Sequence, residues 1–209
     1  MTLQETVKRN LNLTIFSVLT IFLIFIGTIV FINVGSWLFV SDPIPAKLDV
    51  ILTFAGENVR VTYSRELVSK NPGSYWILSD YRDGYARLLR KSNYDMSKVI
   101  VIDTCQSTFS EINALNTWLK HYQSGTAMPE KPLSIGLVSS PYHMRRINLM
   151  INKQFKKSPN KFYYLPVPLE RYNWSRSMFK KWWKSESISK VVYSEIQKIF
   201  YFLVISHNS

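Results

Sequence analysis

Between Asn10 and Ser41 the chain carries no charged residue, and from Leu13 to Phe31 it is almost wholly apolar. A run of that kind matches or exceeds the roughly 20 residues that cross a bilayer, which excludes this segment from a soluble core. Gly35-Ser36-Trp37-Leu38-Phe39-Val40 lacks the small-residue pattern of a cleavage site. An uncleaved anchor is therefore expected, not a removable signal peptide. Cysteine is nearly absent: Cys105 stands alone, so no internal disulfide forms and the redox compartment stays open. There is no Walker loop and no G-x-G-x-x-G, which leaves P-loop and ordinary dinucleotide binding unsupported. A Ser-His-acid site from Ser139 or Ser140, His143 and Asp80 or Asp103 is conceivable, but the G-x-S-x-G elbow is missing. Glu57, Asp80, Asp103 and Glu111 with His143 match no metal-loop spacing, so no metal site is assigned.

Acidic residues are scarce where the basic ones gather. From Arg145 onward there are thirteen Lys and Arg against Glu170, Glu186 and Glu195, a balance of +10 within a chain total of +12. A field of that sign attracts phosphates, anionic lipid or acidic polymers, and it also suits a plainly solvated face. No nucleic-acid reading motif accompanies it, so nucleic acid is not an expected partner. Lys8 and Arg9 precede the apolar run, while Lys47 after it is offset by Asp42 and Asp49. The positive-inside rule then places the N-terminus in the cytoplasm and the main domain outside it.

Behind the anchor, apolar strands alternate with helical segments. Val50-Ile51-Leu52-Thr53-Phe54, Tyr75–Leu78, Val99–Ile102, Ser134–Val138 and Phe162–Val167 read as strands. Helices are expected over 57–70, 81–89, 107–121 and 141–155, with a closing helix over 187–205. Near-continuous apolar strands separated by helices predict an α/β fold, a Rossmann-like and mainly parallel sheet covered on both faces. Pro166 places the fifth strand at an edge. The expected organisation is a cytoplasmic N-terminus at 1–12, a transmembrane anchor at 13–36 and a linker at 37–48. The α/β domain follows at 49–168, then a basic-aromatic segment and closing helix at 169–209. In 174–184, Arg176, Lys180, Lys181 and Lys184 interleave with Trp174, Phe179, Trp182 and Trp183. Such a segment suits a membrane interface, or a cover for the sheet edge with its lysines facing water.

In a parallel sheet every strand's carboxyl end points to one rim, so the polar residues following the strands converge there. They are Gly56, Glu57 and Arg60; Ser79 and Asp80; Asp103, Thr104, Ser107, Thr108 and Glu111; and Ser139, Ser140, His143 and Arg146. Gly56 permits a sharp turn or a close backbone approach. Arg60 and Arg146 can fork onto carboxylate or phosphate, whereas Arg145 points elsewhere, onto the basic surface. Ser107 or Thr108 with Glu111 has the look of a capping box. His143 falls in the first turn of its helix, where the dipole disfavours the imidazolium and leaves a neutral general base.

The order of these pieces resembles the YdcF-like family, which includes the SanA and ElyC envelope proteins of bacteria. Asp42-Pro43-Ile44-Pro45 is similar to its D-P-L-P lead-in, and Asp49-Val50-Ile51-Leu52-Thr53-Phe54-Ala55-Gly56 to D-A-I-V-V-L-G-G. Arg60 follows at a matching distance. Ser107-Thr108 with Glu111 and Ala114 looks like the Asn-Thr and acidic pair, and Ser139-Ser140-Pro141-Tyr142-His143-Met144-Arg145-Arg146 like T-S-x-Y-H-M-x-R-A. Departures are Ala55-Gly56 for the double glycine, Ser79-Asp80-Tyr81 for S-G-G, and Ser107 for asparagine.

The resemblance implies a Rossmann-like sheet, an inner-membrane location with the domain outside the cytoplasm, and a link to cell-wall or envelope biogenesis. It settles neither reaction nor cofactor. The expectation is an anchored protein that binds or processes a phosphorylated or nucleotide-like compound, a polyprenyl-phosphate-linked intermediate being one such. His143 would then act as acid/base, Arg60 and Arg146 would clamp charge, and Ser139 and Thr108 would add hydrogen bonds. The alternative is a non-catalytic membrane scaffold recruiting partners or anionic lipid through its basic last third.

Overall fold

A computed structural model describes residues 3–79, 95–102, 105, 107–124 and 131–207. The expected helix over 81–89, together with Asp80, Asp103 and Thr104, lies outside these residues. Helix α1 (Leu3–Trp37) contains the apolar run. Its stretch Leu13–Trp37, in which an 18-residue window reaches a mean hydropathy of 2.9, is long and apolar enough to cross a membrane. From Leu13 to Ile32 its leucines, isoleucines and phenylalanines are largely exposed, unlike those of a core helix.

Five strands then form one sheet: β1 (Val50–Thr53), β2 (Tyr75–Leu78), β3 (Val99–Val101), β4 (Ser134–Ser139) and β5 (Lys161–Pro166). All pairings are parallel, in the order β3-β2-β1-β4-β5. Strand side chains alternate between faces, and the core divides accordingly. Val50 and Leu52 pack with Ile112, Leu115, Met144 and Ile147, from α3 (Thr108–Ser124) and α4 (Met144–Gln154). Ile51 packs on the other face with Val61, Leu67 and Val68 of α2 (Asn58–Lys70). The sheet is thus covered on both sides, as its near-continuous apolar strands require. Strand β5 lies at the edge, where Pro166 breaks no interior ladder.

The link between α1 and the sheet is fixed to the domain along its length. Asp42 N donates to Tyr164 O at 2.8 Å, and Tyr164 N to Asp42 Oδ2 at 2.8 Å. Asp49 closes a similar pair with Ser134, through N to O and Ser134 N to Oδ2, each at 2.9 Å. Both aspartates of the D-P-I-P and D-V-I-L-T-F-A-G stretches therefore staple the chain onto β5 and β4. Burial opposes the Asp49 charge, but the Ser134 N–H and Lys47 hold its carboxyl below the usual range.

A third apolar cluster joins the end of α1 to the domain. Leu38 packs with Phe179 of α5 (Arg176–Lys180), with Trp182 in the following 3-10 turn, and with Ile188 and Val192 of α6 (Glu186–His207). The segment 174–184 thus buries Phe179 and Trp182 against the end of α1, not over the sheet edge. Trp182 Nε1 donates to Phe31 O at 2.9 Å, and the two rings lie 4.7 Å apart. Arg145, expected on the open basic surface, instead caps the C-terminal end of α1. Its Nε donates to Trp37 O at 2.9 Å and its guanidinium lies over the Trp37 ring. The last carbonyls of a helix lack intrahelical donors, which is why a guanidinium settles there.

Gly35 is the close-approach point of this joint: a Cβ there would sit 2.4 Å from Phe179 O. Gly35→Leu should therefore push α5 off α1 and lower domain stability by about 1–3 kcal/mol. Thermal unfolding of the full chain in detergent checks this, and an unchanged midpoint would show that the joint bears no stability.

Candidate functional site

Because the chain runs β1-β2-β3 to one side and β4-β5 to the other, the strand order reverses between β1 and β4. Open α/β sheets hold ligands in the crevice outside the carboxyl ends at such a reversal. A cleft of about 1850 Å³ lies there, lined among others by Gly56, Glu57, Arg60, Thr108, Glu111, Ser139, His143 and Arg146. Eight of the candidate residues read from the sequence therefore share one cleft. Ser79 and Ser140 lie behind its wall, 1 % and 0 % exposed.

Two polar groups build the wall. In the first, Arg60 is buried and fully engaged. Its Nε donates to Ser140 Oγ at 2.9 Å, its Nη1 to Ala55 O, and its Nη2 pairs with Glu57 at 2.9 Å. Ser140 Oγ donates to Glu57 Oε2 at 2.6 Å and meets Tyr172 Oη at 2.7 Å, while Tyr142 Oη donates to Glu57 Oε1. Burial works against the Glu57 charge, but Arg60 and the two hydroxyl donors hold its carboxyl below the ordinary value. Burial, and then Glu57, push the Tyr142 phenol upward. Arg60 thus forks onto protein carbonyls and a carboxylate, and what it does is set the β1–α2 loop. Gly56 has φ 142°, and a Cβ on it would sit 2.6 Å from the Arg60 guanidinium. Both the dihedral and the close approach demand glycine.

Glu111 departs from the expected cap. Ser107 and Ser110 make the reciprocal side-chain to backbone bonds at the start of α3, at 3.0 and 3.2 Å. Glu111 is left to accept from Ala55 N at 2.7 Å and from Ser79 Oγ. Burial raises its carboxyl above the usual value despite these donors.

The second group contains the residue that the sequence reading missed. Glu195, from α6, is 1 % exposed. It lies 2.9 Å from His143 Nδ1, 2.9 Å from Arg146 Nε and 3.1 Å from Lys198 Nζ. Arg146 also donates from Nη1 to Thr108 Oγ1 at 2.6 Å, and its Nη2 lies 3.0 Å from His143 Nδ1. Glu195 interrupts the apolar stripe of the closing helix, a signal that pointed to it. Nothing local, however, showed that the helix returns to the rim. Tyr142 and Tyr172 escaped for the same reason.

His143 sits in a 3-10 turn (Pro141–His143) just before α4. Its affinity for a proton is low, at about 4, chiefly through burial, with Arg60 and Arg146 adding repulsion against the pull of Glu195. Burial, more than the helix dipole expected from the sequence, is the main cause. Burial also opposes the Glu195 charge, yet the His143 bond and the Arg146 guanidinium hold that carboxyl at about 2. Since the imidazole is neutral well above pH 4, Arg146 and Lys198 are the lasting countercharges at neutral pH. We assign the imidazole proton to Nδ1, because an ionised carboxylate is the stronger acceptor there and Arg146 has acceptors of its own. Nε2 then carries the lone pair and can take a proton from a bound group. Among the described residues no group of three or more His, Cys, Asp or Glu side chains suits a metal ion.

No family model, curated protein or solved structure matches this chain.

The pH dependence of stability has a definite sign. In the folded chain His143 refuses the proton that an unfolded histidine takes up near pH 6.5, so stability falls as pH drops from 6.5 to about 4. Glu195 extends the loss from 4.5 toward 2, as its ion pairs are neutralised. The slope due to His143 is at most about 1.4 kcal/mol per pH unit. It should disappear in His143→Gln when urea unfolding is compared between pH 7 and pH 4.5. Equal slopes in the two proteins would place the imidazole in water.

Proposed function

We propose that this chain is a single-pass protein of the bacterial plasma membrane, with its α/β domain outside the cytoplasm. In this reading its cleft binds or processes a phosphorylated or nucleotide-like compound in envelope biogenesis. The observation that carries the reading is the Glu195-His143-Arg146-Thr108 constellation on the wall of a cleft at the sheet's reversal point. Glu195 orients the imidazole, and Nε2 faces the ligand as proton acceptor or, once protonated, as donor to a phosphate oxygen. Arg146, held by Glu195 and Thr108, presents a fixed positive field that costs no reorganisation when charge develops on the ligand. Lys153 and Lys198 also line the cleft and add to that field. Phe109, Met150, Tyr201 and Phe202 line it as well, which suits a ligand with an apolar portion. The resemblance to YdcF-like proteins agrees with this assignment, and the Ser139–Arg146 segment that carries it forms one side of the cleft. A polyprenyl-phosphate-linked compound fits both the apolar lining and the anchor, which ends at Arg145, two residues from His143.

Inorganic pyrophosphate is the simplest probe of the phosphate part. Calorimetric titration of the full chain in detergent should show binding that Arg146→Ala weakens at least tenfold, by loss of a charge-assisted contact. A bound phosphate stabilises the imidazolium, so binding at pH 6 should take up a proton, and His143→Gln should abolish that uptake. Pyrophosphate affinity indifferent to both substitutions would remove the site and favour the scaffold reading.

A further inference from the structure

The joint between anchor and domain fixes where the membrane surface falls on the domain. From Leu13 to Val30, α1 has roughly 18 residues clear of the domain, a length of about 27 Å at the helical rise. That is close to the hydrocarbon thickness of about 30 Å. Contact with the domain begins at Phe31, whose ring lies 4.7 Å from Trp182 and 5.6 Å from Trp183. The two tryptophans are thus held at the depth where hydrocarbon gives way to headgroups, the level that Trp and Tyr rings prefer.

The surroundings of this pair have the composition of an interfacial element. Trp183 is 39 % exposed and Tyr193, whose ring lies 5.1 Å from that of Trp182, is 55 % exposed. Lys180, Lys181 and Lys184 are exposed within three positions of the tryptophans. In the described structure none of the three makes an ion pair with the domain's carboxylates. The joint is also stiff: the Arg145 bond to Trp37 O, the Trp182 bond to Phe31 O and the tight fit at Gly35 leave little room for rotation about α1.

We propose that the segment Arg176–Lys184, with Tyr193 beside it, lies in the headgroup layer and binds anionic lipid, seating the domain directly on the membrane. The partner is a bilayer surface bearing negative charge. The argument rests on continuity with α1 and on charge complementarity, and it stands apart from what the cleft holds. Each lysine near such a surface adds attraction, and the buried faces of Phe179 and Trp182 keep the segment in place as it does so. One consequence is that the strand-end rim, which Arg145 ties to the end of α1, stays close to the lipid surface.

Depth measurement on the full chain tests the proposal. In a Cys105→Ser background, nitroxides are placed at Trp183→Cys and Tyr193→Cys, with a reference at the exposed Lys157→Cys beyond the far end of α4. The chain is reconstituted in vesicles of phosphatidylcholine alone or mixed with phosphatidylglycerol. The first two labels should sit within about 5–10 Å of the headgroup–acyl boundary. They should also be several-fold less accessible than the reference to a water-soluble nickel relaxant. The combined variant K180E/K181E/K184E changes only exposed side chains, so its fold is expected to survive. It should lose at least about tenfold in phosphatidylglycerol enrichment around the protein. Water accessibility at 183 and 193 equal to that at 157, or lipid enrichment unaffected by the charge reversal, would overturn the proposal. Shielding of the same labels that persists in detergent and scales with protein concentration would also overturn it, pointing to a second copy of the chain.

Discussion

A buried carboxylate has to be neutralised where it stands, and the position of Glu195 therefore governs a large share of this molecule. With 1 % of its side chain exposed, it faces Arg146, Lys198 and His143 together. Removing one partner from such a pair leaves a charge stranded in low dielectric, at a cost of about 3–5 kcal/mol. The closing helix is thereby pinned across the carboxyl rim of the sheet, and the imidazole is fixed with Nδ1 turned toward the acid. The same helix packs Ile188 and Val192 against Leu38 at the end of α1. The end of α1, the closing helix and the wall of the cleft are thus packed into one continuous body.

The two arginines of the rim act through what holds them. Arg60 is fully enclosed by carbonyls, Ser140 and Glu57, which makes it a positioning residue for the β1–α2 turn and explains the glycine before it. Arg146 is tied to Glu195 and Thr108, so its guanidinium cannot swing to follow a ligand. Anything entering the cleft would meet a field already set. Rigid, pre-oriented charge of this kind favours the discrimination of shapes and charge states over raw affinity.

Much of the architecture was legible because parallel α/β sheets leave strong marks. Tyr75–Leu78 was read with its observed limits, and the other four strands fell within one residue at each end. The convergence of Gly56, Glu57, Thr108, Ser139, His143 and Arg146 followed from topology alone, because strand ends in such a sheet share one rim. What misled was local analogy. Glu111 was spaced as a cap, yet burial beneath the β1 turn gave its carboxylate the Ala55 N–H and the Ser79 hydroxyl instead. Arg145 looked like surface charge until the open carbonyl of Trp37 was brought beside it.

By itself the sequence determined the membrane-length helix, the alternation of strand and helix, and the set of polar residues at the strand ends. Each depends on neighbours within a few positions, through periodicity, charge and backbone preference. Only the tertiary structure decided which of those polar groups line the cleft and which are buried against one another. Contacts such as Glu195 with His143, Trp182 with Phe31 and Arg145 with Trp37 join residues 52, 151 and 108 positions apart. A pairing at that range is selected by the packing of whole elements, and no local pattern records it.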